Sequence, residues 1–139
     1  TISSFINGGH TVVPHLGMAV MAFDGSSTQK IAYPEGTQVL EEQVSEQMRT
    51  CLESVVAEGG GKKAYIEGYR IGGKTATSEK LPRGTGKYIS SFVGFAPADN
   101  PQVIAIMTID EPQGIYYGGT IVAPKVRKIF ENILPYLDL

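Results

Sequence analysis

The chain has 139 residues, 42% hydrophobic and 19% charged, with 12 Lys and Arg against 14 Asp and Glu for a net charge of −2. That is one domain's length, able to bury ~68% of its unfolded surface, and its composition excludes a disordered polymer. The near-neutral balance argues against a general nucleic-acid partner, and apolar runs such as residues 103–107 fall far short of the ~20 that span a bilayer. A single cysteine, Cys51, excludes an internal disulfide and a four-thiolate metal site. Because the first residue is Thr and no signal peptide is visible, the chain is expected to be a piece of a longer protein.

In chain order, residues 1–6 read as the end of a helix stopped by Asn7-Gly8-Gly9. Residues 12–23, Asp24-Gly25 and residues 30–33 read as strand, turn and strand, with Pro14 at an entry position. Val44, Met48, Cys51, Leu52, Val55 and Val56 form one apolar stripe at helical spacing, ended by Gly59-Gly60-Gly61. Cys51 is thus expected to be an inert core thiol. From Tyr65 the period becomes two. Residues 69–78, 88–97 and 102–110 read as strands, the last buried on both faces or central, and the last two paired as a hairpin. Gly118-Gly119-Thr120 opens a final helix with an apolar face from Ile121 to Leu134, a solvated face at Lys125, Arg127 and Lys128, and a stop at Pro135. The predicted class is α+β, an antiparallel sheet flanked by helices, in one domain over residues 1–139.

Gly68-Tyr69-Arg70-Ile71-Gly72-Gly73-Lys74-Thr75 spells the phosphate loop of nucleotide hydrolases, and the apolar run ending in Asp110 mimics their magnesium-holding strand. A phosphate loop needs a helix opening at Lys74-Thr75, so that backbone N–H groups face the anion. Pro82, Gly84 and Gly86 forbid one of useful length, and no apolar strand leads into Gly68. A strand through Lys74 is expected instead.

On a strand, Lys74-Thr75-Ala76-Thr77-Ser78 resembles the Lys-Thr-Gly strand of penicillin-binding proteins. The likeness runs along the whole chain: Ile2-Ser3 with Asn7-Gly8-Gly9 and Pro14-His15, then Gly59-Gly60-Gly61-Lys62-Lys63-Ala64-Tyr65 as a lead-in. Later come Phe92-Val93-Gly94-Phe95-Ala96-Pro97, Ile109-Asp110-Glu111-Pro112 and Tyr116-Tyr117-Gly118-Gly119. Jointly these resemble class B enzymes of the division and stage V sporulation type. The resemblance implies a serine D,D-transpeptidase that cross-links peptidoglycan through an acyl-enzyme, with no metal or organic cofactor. Its implied partners are a peptidoglycan stem peptide, β-lactam antibiotics, the remainder of the transpeptidase domain and proteins of a division or sporulation complex. The implied parent is membrane-anchored, with this part outside the cytoplasm.

The same resemblance implies that Lys74 sets a positive potential and that the Thr75 and Thr77 hydroxyls hold the substrate carboxylate. The Thr77 backbone N–H would form half of an oxyanion hole, and the strand edge would pair with the substrate. Ala76 stands where the family has glycine, so its methyl adds bulk beside the cleft if it points there. The nucleophile is a Ser at a helix start with Lys one turn later. Ser27-Thr28-Gln29-Lys30 has only the spelling, no Ser-x-Asn occurs, and the chain is expected to be catalytically incomplete alone. A non-catalytic penicillin-binding-like module is the alternative. His10 and His15 are expected at the surface, Tyr116-Tyr117 in strand-to-helix packing more than in the cleft, and Asp110 as a positioner of the following loop. Arg83 lies in the loop between strands.

Overall fold

A computed structural model describes all residues, Thr1–Leu139. The chain forms two compact units, Thr1–Ser45 and Glu46–Leu139.

In the first unit, helix α1 (Ile2–Ile6) ends at Asn7, and Gly8 and Gly9 follow with φ of 80° and 91°. Only glycine adopts those torsions readily, and a Cβ on Gly9 would lie 2.1 Å from the Leu40 carbonyl oxygen. The close approach lets Gly9 O accept from Val39 N and Leu40 N. Strands β1 (Ala19–Met21) and β2 (Thr28–Lys30) pair antiparallel around Asp24, whose carboxylate accepts from both the backbone N–H and the hydroxyl of Ser26. The hairpin turns where its signal predicted, but β1 keeps only three residues of the 12–23 run, and β2 precedes the expected strand over residues 30–33, sharing only Lys30 with it. Ser45 is fully buried. Its hydroxyl accepts from Gly8 N at 3.1 Å and donates to Phe5 O at 3.0 Å, so nothing polar is stranded.

Helix α2 (Glu42–Ala57) carries its acidic Glu42 in the first turn, where the helix dipole favours it. Leu52 and Val56 are its buried apolar residues, whereas Val44 and Cys51 are exposed. The expectation of a core Cys51 is therefore corrected. Each residue turns a helix by about 100°, so Val44 and Cys51, one position before Ser45 and Leu52, fall on the flank of the buried face.

The second unit is built on a three-stranded antiparallel sheet, β3 (Gly72–Glu79), β4 (Tyr88–Ala96) and β5 (Val103–Asp110), in that spatial order. The strand assignments and the β4–β5 hairpin match the period-two pattern, but β4 is central and β5 lies at an edge. A continuous apolar run reads alike for a strand covered on one face or two. Here Val103, Ala105, Met107 and Ile109 face the core, while Ile104 and Ile106 are exposed.

Against that inner face packs α4 (Ala123–Tyr136), preceded by the single turn α3 (Gly118–Ile121). Val122, Val126, Phe130 and Leu134, spaced by four, are fully buried with Phe92, Ala96 and Val56. Gly94 admits the helix: a Cβ there would come within 3.0–3.2 Å of Phe130, Phe92 and Val126. Pro135 does not stop α4. It removes one donor in the last turn, and Leu137 N still reaches the Ile133 and Leu134 carbonyls.

Candidate active site

Lys74 and Thr75 lie inside β3, not at a helix start, so no phosphate loop exists. The strand is at the sheet edge, and its outer N–H and C=O groups lack a ladder partner. Side chains alternate along it. Thr75 stands opposite Phe92 and Thr77 opposite Ser90, both buried, so the two threonines share the face that α3 and α4 cover. Lys74 and Ala76, opposite Val93 and Ser91, belong to the other face and are exposed. The predicted residues are thus split by the pleat. Thr75 and Thr77 meet in one groove; Lys74 and Ala76 look away from it, and Lys74 Nζ bends back to donate to Thr75 O at 3.0 Å.

The groove encloses about 420 Å³. Beside Thr75 and Thr77 it takes Gly59, Gly60, Lys62 and Lys63 from the segment before the strand, and the corner from Tyr117 to Thr120. Glycine is what brings these pieces together. A Cβ on Gly118 would sit 2.4 Å from Ser91 O and 2.5 Å from Ala76 O, and one on Gly119 would sit 2.2 Å from Gly60 O. All three contacts are with backbone, so neither position has room for a side chain.

The corner is anchored to the sheet at two points. Gly118 N donates to Thr77 Oγ1 at 3.1 Å, and the Ser90 hydroxyl donates to Tyr116 O. Accepting that bond orients the Thr77 hydroxyl and leaves its own proton to donate elsewhere. Tyr116 stacks on Tyr88 with centroids 4.0 Å apart, and Tyr117 leans on Tyr116 at 4.7 Å. Tyr116 therefore packs as expected, whereas Tyr117 is exposed on the groove, and hydrogen bonding with Tyr116 raises its phenol pKa. The glycine and lysine lead-in and the Tyr-Tyr-Gly-Gly corner stand out in the sequence as landmarks. Their meeting at Thr75 and Thr77 could not be read there, because it depends on how the segments before and after the sheet fold onto it.

Both ends of β3 are pinned by charge. Before it, Arg70 makes paired hydrogen bonds to Glu53 of α2 at 2.8 and 2.7 Å and meets Asp99 at 3.2 Å; hydrogen bonding to Glu53 holds its guanidinium pKa above the ordinary value. After it, Lys80 Nζ meets Asp110 at 2.9 Å and Glu111 at 2.8 Å, and Lys87 meets Glu111 at 3.3 Å. Lys80 lowers the Glu111 pKa, with a smaller contribution from Lys87, and its own is raised by Glu111 and Asp110. Asp110, expected to position the loop after β5, pairs instead with Lys80 just beyond β3. Ser27 to Lys30 lie in the β1–β2 hairpin, where no helix begins. His10 bridges Gln38, His15 stacks on Tyr33, both are exposed, and Arg83 is exposed in its loop. No three His, Cys, Asp or Glu side chains gather as metal ligands. The groove instead offers hydroxyls, ammonium groups and peptide N–H, which suit an anion.

The sequence model described as the penicillin binding protein transpeptidase domain matches residues 1–131. Stage V sporulation protein D of Bacillus subtilis is 42% identical over 99% of this chain, and PenA, a probable peptidoglycan D,D-transpeptidase of Neisseria gonorrhoeae, is 35% identical over 94%. The chain spans 22% and 23% of the lengths of these relatives. Among solved structures, penicillin binding protein 3 of Mycobacterium tuberculosis complexed with aztreonam superposes with a TM-score of 0.85 at 27% identity, covering 98% of this chain and 33% of that one. The transpeptidase domain of Burkholderia pseudomallei penicillin-binding protein 3 gives 0.75 at 30% identity, covering 99% and 40%.

Proposed function

The chain belongs to the penicillin-binding protein transpeptidase family, and on that premise we propose that it is the Lys-Thr-bearing part of a serine D,D-transpeptidase that cross-links peptidoglycan and is acylated by β-lactams. The observation that carries the proposal is Thr75 and Thr77 side by side at a groove along an unpaired strand edge. Their hydroxyls hold the substrate or antibiotic carboxylate, and Lys74 supplies positive potential from the strand's other face. The Thr75 carbonyl is within reach of Lys74 Nζ at the strand, and Thr77, two residues on, turns its backbone to the same side. That supports Thr77 N–H as half of an oxyanion hole, with the edge pairing to the substrate backbone.

The attacking serine and its lysine come from the remainder of the transpeptidase domain. Serine adds to the acyl carbonyl, the tetrahedral oxyanion collapses, and the C-terminal residue leaves with a proton; an amine of a second stem peptide then displaces the serine and restores it. The mycobacterial structure with aztreonam supports the β-lactam part, and the name of the Bacillus relative supports the sporulation side of service in a division or sporulation complex. The implied parent is membrane-anchored with this domain extracytoplasmic; no helix here is long and apolar enough to cross a membrane.

Labelling the full-length parent with fluorescent penicillin tests the reading. Native protein is expected to label, and Lys74→Ala and Thr75→Val to label at least tenfold more slowly, the size expected for a lost charge-assisted contact. A parent that never labels would overturn it in favour of a non-catalytic module making protein contacts, a reading that alanine in the family's glycine position also favours.

A further inference from the structure

The groove carries two ammonium groups that the acyl-transfer chemistry leaves unused. Lys62 and Lys63 occupy a 3-10 turn (Lys62–Ala64) whose third residue, Ala64, is fully buried. With three residues per turn, burying Ala64 leaves the two lysines on the solvent side. The turn is held by Lys62 N to Gly59 O at 3.2 Å, Ala64 N to Gly61 O at 2.8 Å and Tyr65 N to Lys62 O at 3.1 Å, so their backbone positions are fixed.

Neither lysine has an acidic partner. The ion pairs of the molecule engage Arg70, Lys80, Lys87 and Arg127, and no carboxylate lines the groove. Lys63 also borders a neighbouring depression with Arg127, Lys128 and Glu131, where Arg127 already holds Glu131 at 2.7 Å. The result is a rim with two uncompensated positive charges, on the same groove as two threonines suited to a single carboxylate.

Resting on the transpeptidase reading, we infer that Lys62 and Lys63 form a second anion-recognition element. They select D,D-peptides carrying an ionised carboxylate away from the C-terminus over the same peptides with that group amidated. The C-terminal carboxylate goes to Thr75 and Thr77, and the second one meets the lysine pair. Both ammonium groups are exposed, so water and salt screen the attraction, and the preference is a matter of several-fold in KM.

The test uses the full-length parent and a pair of synthetic D,D-peptide donors differing only in a free or amidated carboxylate, with KM and kcat read separately. Native enzyme is expected to show a KM about threefold to tenfold lower for the free acid, shrinking toward unity near 1 M salt, about where the Debye length falls to 3 Å. The double variant Lys62→Gln/Lys63→Gln should lose the preference by raising the free-acid KM, and Lys62→Arg/Lys63→Arg should keep it. Lys125→Gln, which removes a charge that does not line the groove, should leave it unchanged. A Gln pair that retains the preference, or a native enzyme without one, overturns the inference. If native parent is not acylated by penicillin at all, the transpeptidase reading fails first and this one with it.

Discussion

Ala76 shares a face of β3 with Lys74, so whatever approaches the lysine also meets the alanine methyl. Its φ is not among the positive values, so the strand makes no torsional demand for the family's glycine here. Bulk remains as the consequence of the substitution. Because that face looks away from the groove of Thr75 and Thr77, acylation of the parent by a fluorescent penicillin is expected to be unchanged in Ala76→Gly, and a faster rate would place the methyl in the substrate's path. The same variant should unfold about 0.5–1 kcal/mol more easily, because glycine loses more backbone entropy within a strand. An unchanged acylation rate beside a lower stability would separate loosening of the backbone from relief of crowding. The spelling of residues 74–78 made these positions legible in the sequence. The division of Thr75 and Thr77 from Lys74 and Ala76 follows from the pleat; which half faces a groove depended on where α3 and α4 settle.

At the level of elements, the far end of β3 is tied to β5 by the cluster of Lys80, Lys87, Asp110 and Glu111. Glu111 N also donates to Tyr88 O at 2.9 Å, and Glu111 holds a φ of 47°, uncommon for a residue with a side chain. Its carboxyl pKa is depressed, mainly by Lys80. A depressed carboxylate adds stability that is present above its unfolded pKa, about 4.3 for Glu, and lost as pH falls through the folded value. Thermal melts of this chain should therefore show Glu111→Gln less stable than native at pH 7, with the gap closing below about pH 4. A gap that persists at pH 3 would place the effect in the backbone conformation and not in charge. Sequence patterning located β3, β4, β5 and α4 because periods of two and four survive in the order of residues. It misplaced Cys51, the centre of the sheet and the end of α4. A helix flank, an edge strand and a proline-bearing last turn are each decided by what packs next to them.

Across the whole molecule, the chain divides into two compact units, Thr1–Ser45 and Glu46–Leu139. The first holds Ser27 and Lys30 at the β1–β2 hairpin, and the second holds the sheet and the groove. A hairpin gives a serine neither a helix start nor a lysine one turn away. The 139-residue chain alone is therefore expected to take up no fluorescent penicillin, and Ser27→Ala in the parent to label like native. A Ser27-dependent band would overturn the assignment of the nucleophile to the remainder of the domain. By itself the sequence determined the class of fold, the strand that bears Lys74 and its neighbours, and the failure of the phosphate-loop spelling. Those depend on local periodicity and on residues adjacent in the chain. Tertiary structure decided that Gly60 meets Gly119, that Gly118 seats on Thr77, and that Tyr117 and two unpaired lysines border the same cavity. These contacts join segments 41 to 59 residues apart, and they rest on backbone approaches that only the folded chain brings within hydrogen-bonding or van der Waals distance.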